Sequence, residues 1–307
     1  MIFEVIFPVF LFLLLGFISV KIGLISKVQI TALGAFVIKI ALPALLLHAL
    51  ASKDLNEIWY PSYFLVYAGV SACLFLSAFF IGQKVFKNSF SHASVYSLGA
   101  SMSNTGLLGA AILTLLMGNE AMIYISLIVI IESVLLVPSM LILAEIGQQQ
   151  KADVLTIFKN TLTTLFKNPL FLAVLIGMTC AIFHIQIPTT LNQVLTMLGQ
   201  TAAPLALFII GGGMVGLTIQ SFNMQTLYLV MSKNICMPIL VFLGLTYLTD
   251  LDQNMIYAGT LIASLPMPSI FGIFGQVYGL NEKALTPLMI STCLSFITIS
   301  VLIGLWW

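Results

Sequence analysis

The sequence predicts an all-α polytopic membrane protein: ten transmembrane helices arranged as two inverted five-helix repeats, with broken crossover helices 4 and 9. Three observations predict it. The composition is too apolar for water, ten segments have spanning length, and the chain matches itself at an offset near 161 residues.

Composition comes first. Hydrophobic residues make up 60% of the 307 and charged residues 7%, against about 25% charged in a soluble domain. A fold of this size cannot hide so much apolar surface, so its solvent is lipid. The formal net charge of +1 gives no sign of a nucleic-acid partner, and no arginine occurs. Cys73, Cys180, Cys236 and Cys293 each stand alone in an apolar run, without metal or redox spacing. They are expected to be small buried hydrophobes. Ile2–Val20 lacks the basic start and small-residue cleavage site of a secretory signal and carries Glu4, so it reads as the first span.

A spanning helix needs about 20 mostly apolar residues. Segments 2–20, 30–51, 59–82, 93–116, 121–144, 168–186, 196–218, 226–249, 254–278 and 285–307 qualify. The longest connection, about 145–167, reads as solvated and partly amphipathic.

The repeat is carried by prolines and glycines. "PVFLFLLLGF" from Pro8 aligns without a gap on "PLFLAVLIGM" from Pro169, and the same shift sets Pro43 on Pro204. A shift of 163 sets Ala100 and Ser101 on Ala263 and Ser264, and Gly109 on Gly272. The units are 1–147 and 168–307, joined by a loop at 148–167. Five spans per unit is an odd number, so the second unit enters the membrane from the opposite side. Lys21, Lys27, Lys84, Lys87, Lys151, Lys159, Lys167 and Lys283 fall on one side and only Lys53 on the other. The positive-inside rule makes the lysine-rich side cytoplasmic, with both termini outside and the central loop inside.

Two stretches interrupt the apolar pattern at matching depth: "SNTGLLG" from Ser103 in span 4 and "SLPMPSIFG" from Ser264 in span 9. Broken helix at membrane depth is tolerated only inside protein or beside a water-filled cavity. Pro266 disfavours helix at Leu265, and Pro268 suits the start of a new half-helix. Each second half-helix would aim free N–H groups and a positive dipole end inward, making an anion site. Asn104, Thr105 and Ser269 would add side-chain donors, and Gly106, Gly109, Pro266 and Pro268 would shape the breaks. The competing reading is that these small residues only let helices pack closely.

An ionisable group inside a span is a functional candidate by default. Glu132 lies halfway along span 5 and is expected to couple transport to a proton or cation; the alternative is a static ion pair with Lys233 of span 8. Lys39 and Lys233 could attract an anion or reach the interface with their stems. His48 and His184, toward the outer span ends, suit packing or pH sensing. "GGGMVG" from Gly211 fits a dinucleotide pattern but lacks the strand it requires; close packing through Gly212 and Gly216 explains it better. Without a nucleophile or metal constellation, an intramembrane enzyme is not expected.

"SNTGLLG", "PLALFIIGGGM" from Pro204 and "LPALLLHAL" from Leu42, with ten spans and a central loop, resemble the auxin efflux carrier family. The resemblance covers essentially the whole chain. It departs at Ser103 and at Ala110 and Ala111, where prolines are common, and at Leu46, where plant members are polar. An aromatic auxin-like substrate does not follow. The resemblance implies a secondary carrier for organic anions in a bacterial inner membrane, working by alternating access. Spans 1, 2, 6 and 7 would form a scaffold that homodimerises, and spans 3–5 and 8–10 a moving unit. Asn104 would match the substrate-binding asparagine, flanked by Ser103 and Thr105. Glu132 would supply the polar residue of span 5, and His48 a histidine seen in span 2. A monocarboxylate or small dicarboxylate such as malonate fits by analogy. The related bile-acid symporters use sodium, so a cation near Asn104 and Glu132 is a further expectation. No cofactor is expected beyond a coupling H+ or Na+. A channel or receptor on the same fold is a further alternative.

Overall fold

The computed structural model describes residues 2–51, 59–147, 163, 166–167, 169–216, 222–280 and 282–307. Most of the predicted 148–167 connection lies outside the described residues, with Lys151 and Lys159, as does Lys53.

Among the described residues the secondary structure is all helical, without a strand. The helices are α1 (Ile2–Lys21), α2 (Lys27–Ala51), α3 (Pro61–Lys84) and α4 (Phe90–Ser101). Next come α5 (105–117), α6 (121–147), α7 (Pro169–Ile182) and α8 (Thr189–Gly213). The series ends with α9 (Met224–Leu248), α10 (Gln253–Ala263), α11 (Ser269–Val277) and α12 (Glu282–Trp306). Among the described residues six helices are long and apolar enough to cross a membrane, counting 90–144 as one run of 55 residues. As a single helix that run would measure roughly 80 Å, far beyond a bilayer core. It is cut at 102–104 and again by the 3-10 turn Gly118–Glu120.

Polar caps set the starts that lie in loops. Ser26 and Gln29 form a reciprocal capping box on α2, Ser89 caps α4, and Asn223 caps α9. Asp252 accepts from the N–H groups of Asn254 and Met255 at the start of α10. Each satisfies donors that the first helical turn leaves free.

Each of the ten predicted segments coincides largely with helix, with two differences. Helix α8 starts at Thr189 rather than at 196, because an amphipathic "TTLNQVL" forms helix without being apolar. It ends at Gly213, so the last two residues of the predicted 196–218 lie outside the described residues.

The packing forms two sets. Helix α1 lies along the second half of α8, and α2 packs on α7 and α8. Helix α3 packs on α4 and α9, α4 on α6, α9 on α10 and α12, and α11 on α12 and α4. Helix α5 joins the sets by touching α8 and α6, and α6 itself touches α2 and α7.

Backbones touch where α1 meets α8. A methyl carbon on Gly211 would stand 1.9 Å from the Leu13 carbonyl oxygen, and one on Gly16 would stand 1.9 Å from that of Phe208. Gly212 packs against Ile30 and Val20. The expectation for "GGGMVG" is therefore corrected in part. Gly211 and Gly212 are contact residues, whereas Gly216 takes a left-handed φ of +76° just after the helix. The cysteine expectation is corrected too. Cys180 is buried, but Cys73, Cys236 and Cys293 are exposed on the chain's surface. A surface that meets lipid has no need to withdraw an apolar thiol, because the surroundings are as apolar as the core.

Candidate functional site

The candidate site forms where both interruptions come together. Helix α4 stops at Ser101, and Met102, with φ −113° and ψ 145°, turns the chain into extended backbone. Helical hydrogen bonding resumes at Thr105 in a π-helical turn, Thr105–Gly109, where the Asn104 carbonyl accepts from Leu108 and Gly109 N–H. The second interruption falls between Ala263 and Ser269, where the N–H-free Pro266 and Pro268 rule out continuous helix. The two are joined directly: Asn104 N–H donates to the Pro266 carbonyl at 2.9 Å.

Glu132 sits beside this junction. It is 5% exposed and lies in a second π-helical turn, Ile131–Leu136, within α6. Its Oε1 accepts from the Thr105 hydroxyl at 2.6 Å and, at a longer 3.4 Å, from Ser103 N–H. The carboxylate thus occupies the N-terminal end of α5, where free N–H groups and the helix dipole favour negative charge. The second interruption has a neutral counterpart, for Met267 N–H donates to the Ser291 hydroxyl of α12 at 3.0 Å.

Lys233 is fully buried in a third π-helical turn, Ser232–Cys236, within α9. Its Nζ donates to the Ala263 carbonyl at 2.6 Å. Among the described residues no ion pair joins Lys233 to Glu132. Each has a partner on a different interruption.

The other predicted residues are placed as follows. Asn104 is half-buried, and so is Gly106, where a methyl group would meet Leu170 of α7 at 3.2 Å. Pro266 and Pro268 are buried, while Ser269 is exposed as the first residue of α11. Lys39 is exposed in a fourth π-helical turn, Val37–Ala41, which packs against the turn at Thr105. His48 lies about 13 Å beyond Lys39 along α2. Its Nδ1 lies 2.6 Å from Asn192 Oδ1 on the first turns of α8, a contact within the α2–α8 pair. His184 follows α7 with a left-handed φ of 51°. Among the described residues no three His, Cys, Asp or Glu side chains come together.

Sequence reasoning missed Tyr67. Its hydroxyl lies 3.3 Å from Ser103 Oγ, buried on α3. Tyr63, Tyr67 and Ser71 are all at most 1% exposed. Their i, i+4, i+8 spacing puts them on one helix face, a signal readable in the sequence.

Comparison with known proteins decides the class. The family model described as "Membrane transport protein" matches residues 1–303. The chain belongs to the auxin efflux carrier family. A family member in Rhizobium meliloti (strain 1021), named "Putative malonate transporter", is 26% identical over 302 residues, or 97% of this chain and 93% of its own. As a member of that family the chain is an integral membrane transport protein, a class distinct from enzymes.

Proposed function

We propose that the protein is a secondary active transporter moving a small organic anion, a carboxylate, by alternating access. In this reading ten spans form two inverted five-helix repeats in a bacterial inner membrane, with both termini outside. Spans 4 (α4 with α5) and 9 (α10 with α11) are the broken crossover helices. Spans 1, 2, 6 and 7 form a homodimerising scaffold, and the other spans form the moving unit. The observation that carries the reading is the bond from Asn104 N–H to the Pro266 carbonyl, with Glu132 seated on the adjoining helix end.

The chemistry follows from that placement. A substrate carboxylate and the Glu132 carboxylate seek the same N–H groups at the start of α5. Protonating Glu132 removes the competing charge and admits the substrate, which links substrate binding to proton binding. Asn104, Thr105 and Ser103 then offer donors, with Ser269 across the junction. The malonate in the relative's name makes a small dicarboxylate the first probe for this chain.

Counterflow in proteoliposomes tests the reading. Vesicles loaded with unlabelled malonate should take up external labelled malonate above equilibrium, and Asn104→Ala should lose at least tenfold in apparent affinity while staying folded. Uptake that only dissipates a gradient would point to a channel. No response across a panel of mono- and dicarboxylates would reject an organic-anion carrier.

A further inference from the structure

The last carbonyl of α10 has lost every usual donor. Within that helix end, Thr260, Leu261 and Ile262 find backbone partners, because Ser264 N–H reaches all three and Leu265 N–H also bonds Ile262. Ala263 is next. The residues that follow cannot serve it: Pro266 and Pro268 carry no N–H, and Met267 N–H is taken by Ser291. Its oxygen is met instead by the Lys233 ammonium at 2.6 Å.

A helix C-terminus carries partial negative charge. In secondary transporters such ends of broken helices, with unwound carbonyls, coordinate the driving cation. Here a tethered ammonium holds that place, 0% exposed, and among the described residues Ala263 is its one hydrogen-bond partner. The next residue, Asn234, donates through its Nδ2 to the Ser291 carbonyl and the Ser295 hydroxyl of α12, and its Oδ1 is buried without a partner.

We infer that Lys233 is a built-in substitute for a coupling metal cation: its ammonium neutralises the C-terminal end of α10, and the carrier neither binds nor needs sodium there. The inference rests on the reading that the two interruptions form the transport site. It assigns Lys233 a positioning role, acting through α10 rather than on substrate. A neutral, shorter side chain at 233 should open a place for a small cation against the Ala263 carbonyl.

Two measurements test it. The first needs no substrate: thermal unfolding of purified protein in sodium chloride and in choline chloride at equal ionic strength. The wild type should unfold at the same temperature in both, within about 1 °C, whereas Lys233→Ala and Lys233→Gln should gain several degrees in sodium. A wild type stabilised by sodium overturns the inference. So do folded variants indifferent to sodium, and so do variants that cannot be recovered in either salt, since sodium should replace the missing ammonium. The second is malonate uptake by wild-type proteoliposomes, expected to differ less than twofold between the two salts; tenfold stimulation by sodium overturns the inference. Sodium-driven malonate uptake would leave the carrier reading standing while removing this one. Absence of transport across the panel of mono- and dicarboxylates, with the sodium-dependent stabilisation of both variants intact, would do the reverse.

Discussion

Glu132 holds a position in which its own charge competes with the proposed cargo. Its Oε1 is fixed by the Thr105 hydroxyl at 2.6 Å and neighboured by Ser103 N–H at 3.4 Å. Tyr67 supports Ser103 from α3. If protonation of Glu132 vacates the helix end, substrate affinity falls as pH rises through its titration, because the carboxylate form excludes a second carboxylate. Glu132→Gln keeps the shape and can still accept from Thr105, but it carries no charge at any pH. Malonate binding, read by thermal shift from pH 5.5 to 8.5, should weaken at least tenfold with rising pH in the wild type, about 1.4 kcal/mol. It should stay flat in the variant, and a proton gradient should no longer drive accumulation. A wild type and variant with the same pH profile would remove Glu132 from coupling. The sequence made Glu132 visible, since a carboxylate halfway along an apolar segment stands out. It hid the bond to Thr105, 27 residues away, because that contact depends on how α6 is rotated. Tyr67 escaped notice for a similar reason: a tyrosine among apolar residues looks like packing until its hydroxyl is seen beside Ser103.

At the scale of elements, the interruptions were readable from Pro, Gly and Asn, because those residues change the backbone wherever they stand. The π-helical turns were not. Lys39, Thr105, Glu132 and Lys233 each lie in one, and an extra residue per turn shifts every later side chain around the helix axis. Such turns are frequent at functional sites, and nothing in composition announces them. Glycine had the opposite fault: "GGGMVG" announced contact but not which glycine makes it. The structure gives that role to Gly211, against the Leu13 carbonyl, and to Gly212, against Ile30 and Val20, and places Gly216 in a left-handed turn. Gly211→Val should therefore force α1 off α8 and destabilise the protein by about 1–3 kcal/mol, the usual range for overpacking. Gly213→Ala, two residues on with open space around it, should be close to neutral. Melting temperatures of the two purified variants check the contrast; equal melting points would show that the contact does not hold the pair.

For the whole molecule the question is whether the two packed sets move against each other. Helix α8 packs on α1 and α2, and α2 on α7, while α3, α4, α6 and α9–α12 form the other set, from which α6 also touches α2 and α7. Helix α5 and the turn that begins it lie between them, with Gly106 facing Leu170 of α7 across 3.2 Å from where a methyl carbon would be. A glycine here would, in the proposed cycle, let the interrupted segment slide along α7 without a side chain catching on it. In the proposed cycle this contact must open and re-form, since the site on α5 travels with the moving unit while α7 stays with the scaffold. Cysteines placed at Gly106 and Leu170, in a background with Cys73, Cys180, Cys236 and Cys293 replaced by alanine, give a direct test. A short bifunctional thiol reagent should bridge them within one chain and reduce malonate exchange at least tenfold, and reductive cleavage of the bridge should restore it. Malonate should still stabilise the bridged protein against heat, because the junction between Asn104 and Pro266 lies wholly on the moving side. Full exchange by the bridged protein would mean that the two sets need not part, and alternating access along this contact would be wrong.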